Sequence, residues 1–221
     1  MPSTPRIRRV SRKTDKVTRS ANKQQAILEA GTIAFLRKGY LGTNMDEVAA
    51  LAGVSKQTVY SYFSNKETLF IEIVTQMTSA GSDAVRNETG ELEAGSDIAQ
   101  YLRSYAYRQL RIVLTPRLMQ LRRVVIGEVS RFPELGKCLY EGGPKRAIAA
   151  LAKVFSELAE RGLLAIDDAE MAASQFNWLI MSEPVNRAML LGDDSIPTPA
   201  ALRRHADEGV RIFLAAYAGQ R

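Results

Sequence analysis

Residues 43–67, Thr-Asn-Met-Asp-Glu-Val-Ala-Ala-Leu-Ala-Gly-Val-Ser-Lys-Gln-Thr-Val-Tyr-Ser-Tyr-Phe-Ser-Asn-Lys-Glu, leave the backbone little choice. Asn44 predicts a helix N-cap, with Glu47 three residues on to complete a capping box. Gly53 predicts a tight turn, because glycine tolerates the left-handed backbone such a turn needs, and the small Ala49 four residues earlier lets two helices approach. Ser55 predicts the cap of a second short helix. Val48, Ala52, Val54 and Val59 then meet as a small core, with Phe63 beside them. Lys56, Gln57, Thr58, Tyr60, Ser61 and Tyr62 are left for the outer surface. A helix with that outer face suits phosphate oxygens and base edges, and the spacing is that of a helix-turn-helix.

The same stretch resembles a known family. Gly39-Tyr40, Thr43, Glu47-Val48-Ala49, Ala52-Gly53-Val54-Ser55, Thr58-Val59-Tyr60, Tyr62-Phe63 and Lys66-Glu67-Thr68-Leu69 are similar, in order and spacing, to the TetR/AcrR family of bacterial repressors. The resemblance is specific over roughly residues 22–75; beyond that it rests on length and helix layout. It implies an all-α protein that binds a palindromic double-stranded operator as a homodimer. It also implies a C-terminal domain that supplies the dimer contact and a ligand cavity, so that an effector releases the DNA. By match to the family, Lys56, Gln57 and Thr58 reach base edges, and Tyr60, Tyr62 and Lys66 lie on phosphates. Thr43 touches a phosphate at the start of the second helix. Two positions depart from the pattern. Gln24 and Ala26 stand where basic residues often open the first helix, and Gly31 stands where alanine is usual, a difference of about 1 kcal/mol in helix propensity.

Charge is concentrated at the start. Residues 1–21 hold Arg6, Arg8, Arg9, Arg12, Lys13, Lys16 and Arg19 against Asp15 alone, which accounts for the whole formal charge of +6. With Pro2, Pro5 and no apolar periodicity, this stretch reads as a disordered basic arm that strengthens DNA binding by counterion release. No apolar run approaches the ~18 residues a membrane span needs, and the N-terminus lacks the apolar core of a secretory signal. A lone cysteine, Cys138, fits a reducing cytoplasm.

Helical periodicity runs through the rest. A first helix over about Asn22–Lys38, opened by Asn22 with Gln25 and ended by Gly39, lines up Ile27, Ala30, Ala34 and Phe35. Ser64 with Glu67 predicts the box opening a fourth helix, to about Ser79. Residues 81–96, rich in Gly, Ser and Glu, read as a loose seam. Helical segments then cover 97–114, 117–131, a stretch from Pro133 broken at Gly142-Gly143-Pro144, and 145–161. A helix opened by Asp167 with Glu170 runs on to Leu191 with a kink at Pro184, and a last one runs from Pro199 to about Ala218. No strand pattern, repeat or phosphate loop is visible. The expectation is all-α, with about nine helices: an arm over 1–21, a helix-turn-helix head over 22–67, and a ligand-binding and dimerisation domain over 68–221.

Enzyme chemistry finds no support. His205 is the only histidine and has no carboxylate constellation around it. There is no Cys/His metal spacing, and Asp167-Asp168 and Asp193-Asp194 read as cap and loop residues. No cofactor is implied. The homodimer is expected through the last two helices: Met171, Ala172, Phe176, Trp178, Leu179, Ile180 and Met181 cover more than one side of one helix, and the other offers Val210, Phe213, Leu214 and Tyr217. Tyr101, Tyr105, Met119, Leu121, Val125, Phe155, Phe176 and Trp178 are expected to line a cavity for a small apolar or aromatic effector. Two alternatives remain open on sequence: an all-helical small-molecule carrier or interaction scaffold without DNA function, and a DNA-binding regulator with no effector.

Overall fold

Apolar residues recur at helical spacing along nearly the whole chain, and the computed structural model, which describes residues 8–89 and 97–219, is helical accordingly. Ten α-helices follow one another: α1 (Arg8–Gly42), α2 (Met45–Ala52), α3 (Lys56–Tyr62), α4 (Lys66–Thr89), α5 (Ile98–Val113), α6 (Pro116–Glu128), α7 (Pro133–Tyr140), α8 (Arg146–Glu160), α9 (Ala169–Leu191) and α10 (Pro199–Tyr217). A π-helical turn at Glu141–Lys145 joins α7 to α8 without a break, so the described residues form nine α-helical stretches, besides a short 3-10 turn at Asp193–Ser195, in line with the about nine helices the sequence predicts. There is no strand among them, only an isolated antiparallel bridge between Leu164 and Ala218. The chain divides into two compact units, residues 1–73 and 74–221, with α4 contributing to both.

In the first unit α1 starts at Arg8 rather than at Asn22. Residues 8–21, expected as a disordered arm, are therefore helical, and Asn22 lies inside a helix instead of capping one. The reason is local: this stretch holds neither Gly nor Pro, and Arg and Lys are good helix formers. The rest of the arm, residues 1–7, lies outside the described residues. Gly39 interrupts the helix where expected, with φ 72° and ψ 179°. The predicted face, Ile27, Ala30, Ala34 and Phe35, is buried, as are Val48 and Ala49 of α2, Val59 of α3 and Leu69, Phe70 and Ile73 of α4. Phe35, Tyr40 and Phe70 meet ring to ring, at 4.5–5.8 Å between centroids. The opening of α4 is a reciprocal box one residue later than predicted. The Thr68 amide donates to Asn65 Oδ1 at 2.8 Å and the Asn65 amide donates to Thr68 Oγ1 at 3.3 Å.

In the second unit α4 stays helical to Thr89, past the expected end at Ser79, so the described part of the 81–96 seam is helix. Arg146 holds Asp83 of α4 at 2.7 Å. The Gly142-Gly143-Pro144 stretch does not stop the chain. A wide π turn absorbs Pro144, whose missing N–H would break an α ladder. Asp168, not Asp167, caps α9, accepting from the Met171 amide at 2.9 Å. The neighbouring acids are structural too: Asp193 accepts from Arg123 and from Gln120.

Pro184 sits inside α9 and leaves the Ile180 carbonyl without its intrahelical donor. His205 of α10, expected on a polar face, supplies one: its Nε2 lies 2.8 Å from the Ile180 oxygen. The core of this unit is aromatic at its centre. Phe176 meets Phe155 edge-on at 5.9 Å and Phe213 at 5.0 Å, and Tyr105 lies 6.4 Å away. Val210 and Phe213 are buried in that core, and Leu214 and Tyr217 pack half-buried against it. These four were expected to face a second subunit; their helix turns them inward because α10 packs its apolar stripe on α5 and α9 of its own chain.

Candidate nucleic-acid interface

The geometry of α2 and α3 follows from their caps. The Glu47 amide donates to Asn44 Oδ1 at 2.8 Å, which is half of the predicted capping box. The other half is absent because the Glu47 carboxylate instead pairs with Lys38 of α1, at 2.8 Å. Gly53 takes up the left-handed conformation, φ 65°, and the following Val54 amide reaches back to the Ala49 carbonyl at 3.1 Å, closing α2 as a Schellman turn. Ser55 accepts the Thr58 amide at 3.1 Å and opens α3. Val59 is fully buried and Phe63 nearly so, which fixes the roll of α3 about its axis.

That roll exposes Lys56, Gln57, Tyr60 and Ser61, at i, i+1, i+4 and i+5, on a single face of α3. Gln57 is exposed, and Tyr60 is 44% exposed. Lys56 is paired at 2.7 Å with Asp46 of α2, whose hydrogen bond and charge hold the ammonium's pKa above its ordinary value. Both partners are well exposed, so the pair is weak and easily exchanged for a phosphate or base oxygen. Ser61 donates to the Thr58 carbonyl at 2.7 Å, and the Thr58 hydroxyl lies 2.9 Å from that of Ser55.

Three residues expected on phosphates make hydrogen bonds within the protein. Thr43 is buried, 2% exposed, and its hydroxyl donates to the Gly39 carbonyl at 2.8 Å, the usual local bond of a threonine beside a helix end. The Tyr62 hydroxyl donates to the Ser20 carbonyl at 3.1 Å and lies 2.8 Å from its Oγ, tying the last turn of α3 to α1. The Lys66 ammonium donates to the carbonyls of Tyr40 and Thr43 at 2.8 and 3.1 Å. The sequence shows no local sign of these partners, because Ser20 and Tyr40 are 42 and 26 residues away.

In the second unit, Tyr105, Met119, Leu121, Val125, Phe155 and Phe176, expected as cavity lining, are all buried, and Tyr101 is half-buried. Burial pushes the hydroxyl pKa of Tyr101 and of Tyr105 upward. Trp178 is 43% exposed on the opposite side of α9 from Phe176 and lines no interior. The reason is helical phase: Phe176, Asn177 and Ile180 face the core, which turns position 178 outward. A polar feature was missed. Gln109 and Asn177, both buried, join side chain to side chain at 2.9 Å between α5 and α9. Gln109 Oε1, Arg108 Nη1 and Arg122 Nε are buried without a hydrogen-bond partner. A polar residue at a core position of an amphipathic helix is the sequence signal that would have marked Gln109. Among the described residues no His, Cys, Asp and Glu cluster could hold a metal, and no helix is long and apolar enough to cross a membrane.

Known proteins match both units. A family model described as bacterial regulatory proteins of the tetR family covers residues 27–73, and one described as the C-terminal domain of an AefR-like transcriptional repressor covers residues 100–219. The HTH-type transcriptional regulator YhgD of Bacillus subtilis is 50% identical over 58 residues, which is 26% of this chain and only 30% of that protein. A TetR-family transcriptional regulator from Mesorhizobium loti is 40% identical with a TM-score of 0.85, covering 90% of this chain and 98% of that one. The flavonoid-responsive regulator FrrA is 29% identical with a TM-score of 0.75, covering 91% and 100%. With a capped helix-turn-helix in the first unit, and a family model over more than half of its length in the second, this chain belongs to the TetR family of bacterial transcriptional regulators.

Proposed function

We propose that the protein is a ligand-responsive repressor that binds a palindromic operator as a homodimer. The observation that carries the DNA reading is the outer face of α3, where Lys56, Gln57, Tyr60 and Ser61 stand together over a buried Val59. Gln57 and Lys56 are the base-reading residues, and Tyr60 meets a phosphate, while the basic composition of residues 1–21 adds counterion release. Thr58, in the first turn of α3, completes the base-reading set, and Ser61 lies one turn further along the helix.

The dimer uses the outer faces of α9 and α10. Met171 and Trp178 are two turns apart on α9, both exposed, and Ile212 is the exposed large apolar residue of α10. Isologous pairing of such a face gives the two-fold axis that a palindrome requires.

The effector is aromatic and bears hydroxyl or carbonyl groups. It enters among Tyr101, Tyr105, Phe155 and Phe176; in the same unit the buried Gln109 Oε1 requires a donor, and the buried Arg108 Nη1 and Arg122 Nε require acceptors. The description of FrrA as flavonoid-responsive supports a ligand of this chemistry.

Selection of bound sequences from a random DNA pool tests the reading, with light scattering on the same preparation. A two-fold symmetric motif and a dimer mass are expected. A monomer mass, or a pool that is not enriched, would refute it. An effector-bound protein should lose operator affinity, and operator should weaken effector binding by the same factor.

A further inference from the structure

The first residue of α4 is a lysine, which is an unfavourable place for a cation, since the helix dipole is positive there. Lys66 does not stay there. Its side chain reaches across to the end of α1, where Gly39 has interrupted the helix and the Tyr40 carbonyl takes a long 3.4 Å bond from the Thr43 amide. The last turn of α1 contains no basic residue of its own. Lys66 Nζ donates to the Tyr40 carbonyl at 2.8 Å and the Thr43 carbonyl at 3.1 Å, and stands 4.4 Å from the centroid of the Tyr40 ring. Tyr40 is itself fixed between Phe35 and Phe70. One ammonium thus joins the end of α1, the residue before the Asn44 cap of α2, and the first turn of α4.

We infer that Lys66 is a positioning residue for DNA recognition, acting through the α1–α2 turn, and not a phosphate contact. The Tyr40–Thr43 segment sets where Asn44 starts α2, and α2 with Gly53 sets where Ser55 starts α3. An error in that turn is carried to Lys56 and Gln57. Charge neutralisation is done elsewhere, so removing Lys66 costs affinity without releasing fewer counterions. The inference rests on the DNA reading above.

Three measurements on the full chain test it. In the first, Lys66→Met keeps the stem over the Tyr40 ring and removes the donors, and operator affinity is followed across a salt series. Affinity should fall about tenfold to a hundredfold, the range for losing a charge-assisted hydrogen bond. The slope of log K against log salt should match that of the parent. A slope smaller by about 0.9 would mean a lost phosphate contact and would overturn the inference. So would unchanged affinity alongside a lowered melting temperature, the signature of a merely structural lysine.

In the second, Lys66→Arg should recover part of the affinity, because a guanidinium can donate to the same carbonyls and stack on the ring; no recovery counts against the inference. The third needs no variant. The Lys66 ε-protons should show an upfield ring-current shift from Tyr40 by NMR, both in the free protein and with operator bound. A shift absent in the free protein, or lost on DNA, overturns the inference. If the parent selects no DNA at all, it is the functional reading that has failed, and the free-protein spectrum still decides whether the joint exists.

Discussion

The two units assign stability and function to side chains in opposite ways. In the first, the residues sort by helix face. Val59 is buried and holds α3, while Gln57 and Tyr60 on the same helix are exposed and free of the core. In the second, the residues expected to line a cavity, among them Tyr105, Met119, Phe155 and Phe176, are the core itself. The difference teaches where mutation can separate the two properties. A recognition surface can be altered without touching the fold, whereas a ligand site made of core residues cannot.

The largest expected effect lies in the second unit. Phe176→Ala removes a ring that touches Tyr105, Phe155 and Phe213, and should destabilise by about 3–5 kcal/mol. Calorimetry would show this as a large loss in melting temperature. A loss under about 1 kcal/mol would mean the centre of this unit is already open, and the contrast would fail. Gln57→Ala is the counterpart in the first unit. Melting should be unchanged within about 0.5 kcal/mol. Discrimination between operator and a site altered at the contacted base should fall by about 1–3 kcal/mol. An unaltered preference would remove Gln57 from the base-reading set.

Legibility in the sequence divides along the same line. The head was readable because its determinants are short-range. Asn44, Gly53 and Ser55 act within three to five residues of themselves; the Gly53 turn and the Ser55 cap form as predicted, and the Asn44 cap forms without the return bond from Glu47. What is not legible there is set by partners far along the chain, Ser20 for Tyr62 and Tyr40 for Lys66. The start of α1 failed for another reason: a run of Arg and Lys carries no apolar stripe yet has good helix propensity. In the second unit helix positions were legible from periodicity, but helix phase was not. Apolar α9 presents no single face, so Trp178 stands in both the dimer set and the cavity set, and Val210 and Phe213 of α10 are expected outward where packing turns them in.

His205 tests whether the second unit tolerates loss of a polar group better than loss of a ring. His205→Ala leaves the Ile180 carbonyl unpaired beside Pro184, at a cost of about 1–2 kcal/mol. Pro184→Ala restores the missing N–H to the α9 ladder, so the cost of His205→Ala should shrink in that background. A double-mutant cycle by thermal or urea melting measures the coupling. Full additivity would show that the His205 ring does not serve the proline's orphan.

The smallest effect compares close helix approaches in the two units. In the first, a Cβ at Gly31 of α1 would come within 2.9 Å of Ile73 Cδ1 and 3.2 Å of Leu69 Cδ2 on α4. Helix propensity favours Gly31→Ala by about 1 kcal/mol, and overpacking opposes it by about 1–3 kcal/mol. The atoms in the way are the ends of flexible side chains, so the two effects should nearly cancel, with a net loss under about 1 kcal/mol. This revises the sequence reading of Gly31 as a simple propensity deficit. In the second unit a Cβ at Gly209 of α10 would collide more severely with Ile180 Cδ1, at the turn where His205 and Pro184 already fix α9. Gly209→Ala should therefore lose more than Gly31→Ala when both are melted under the same conditions. If Gly31→Ala stabilises by the full propensity difference, α1 and α4 are not packed at their closest approach. If the order of the two variants is reversed, the first unit rather than the second is the tightly packed one.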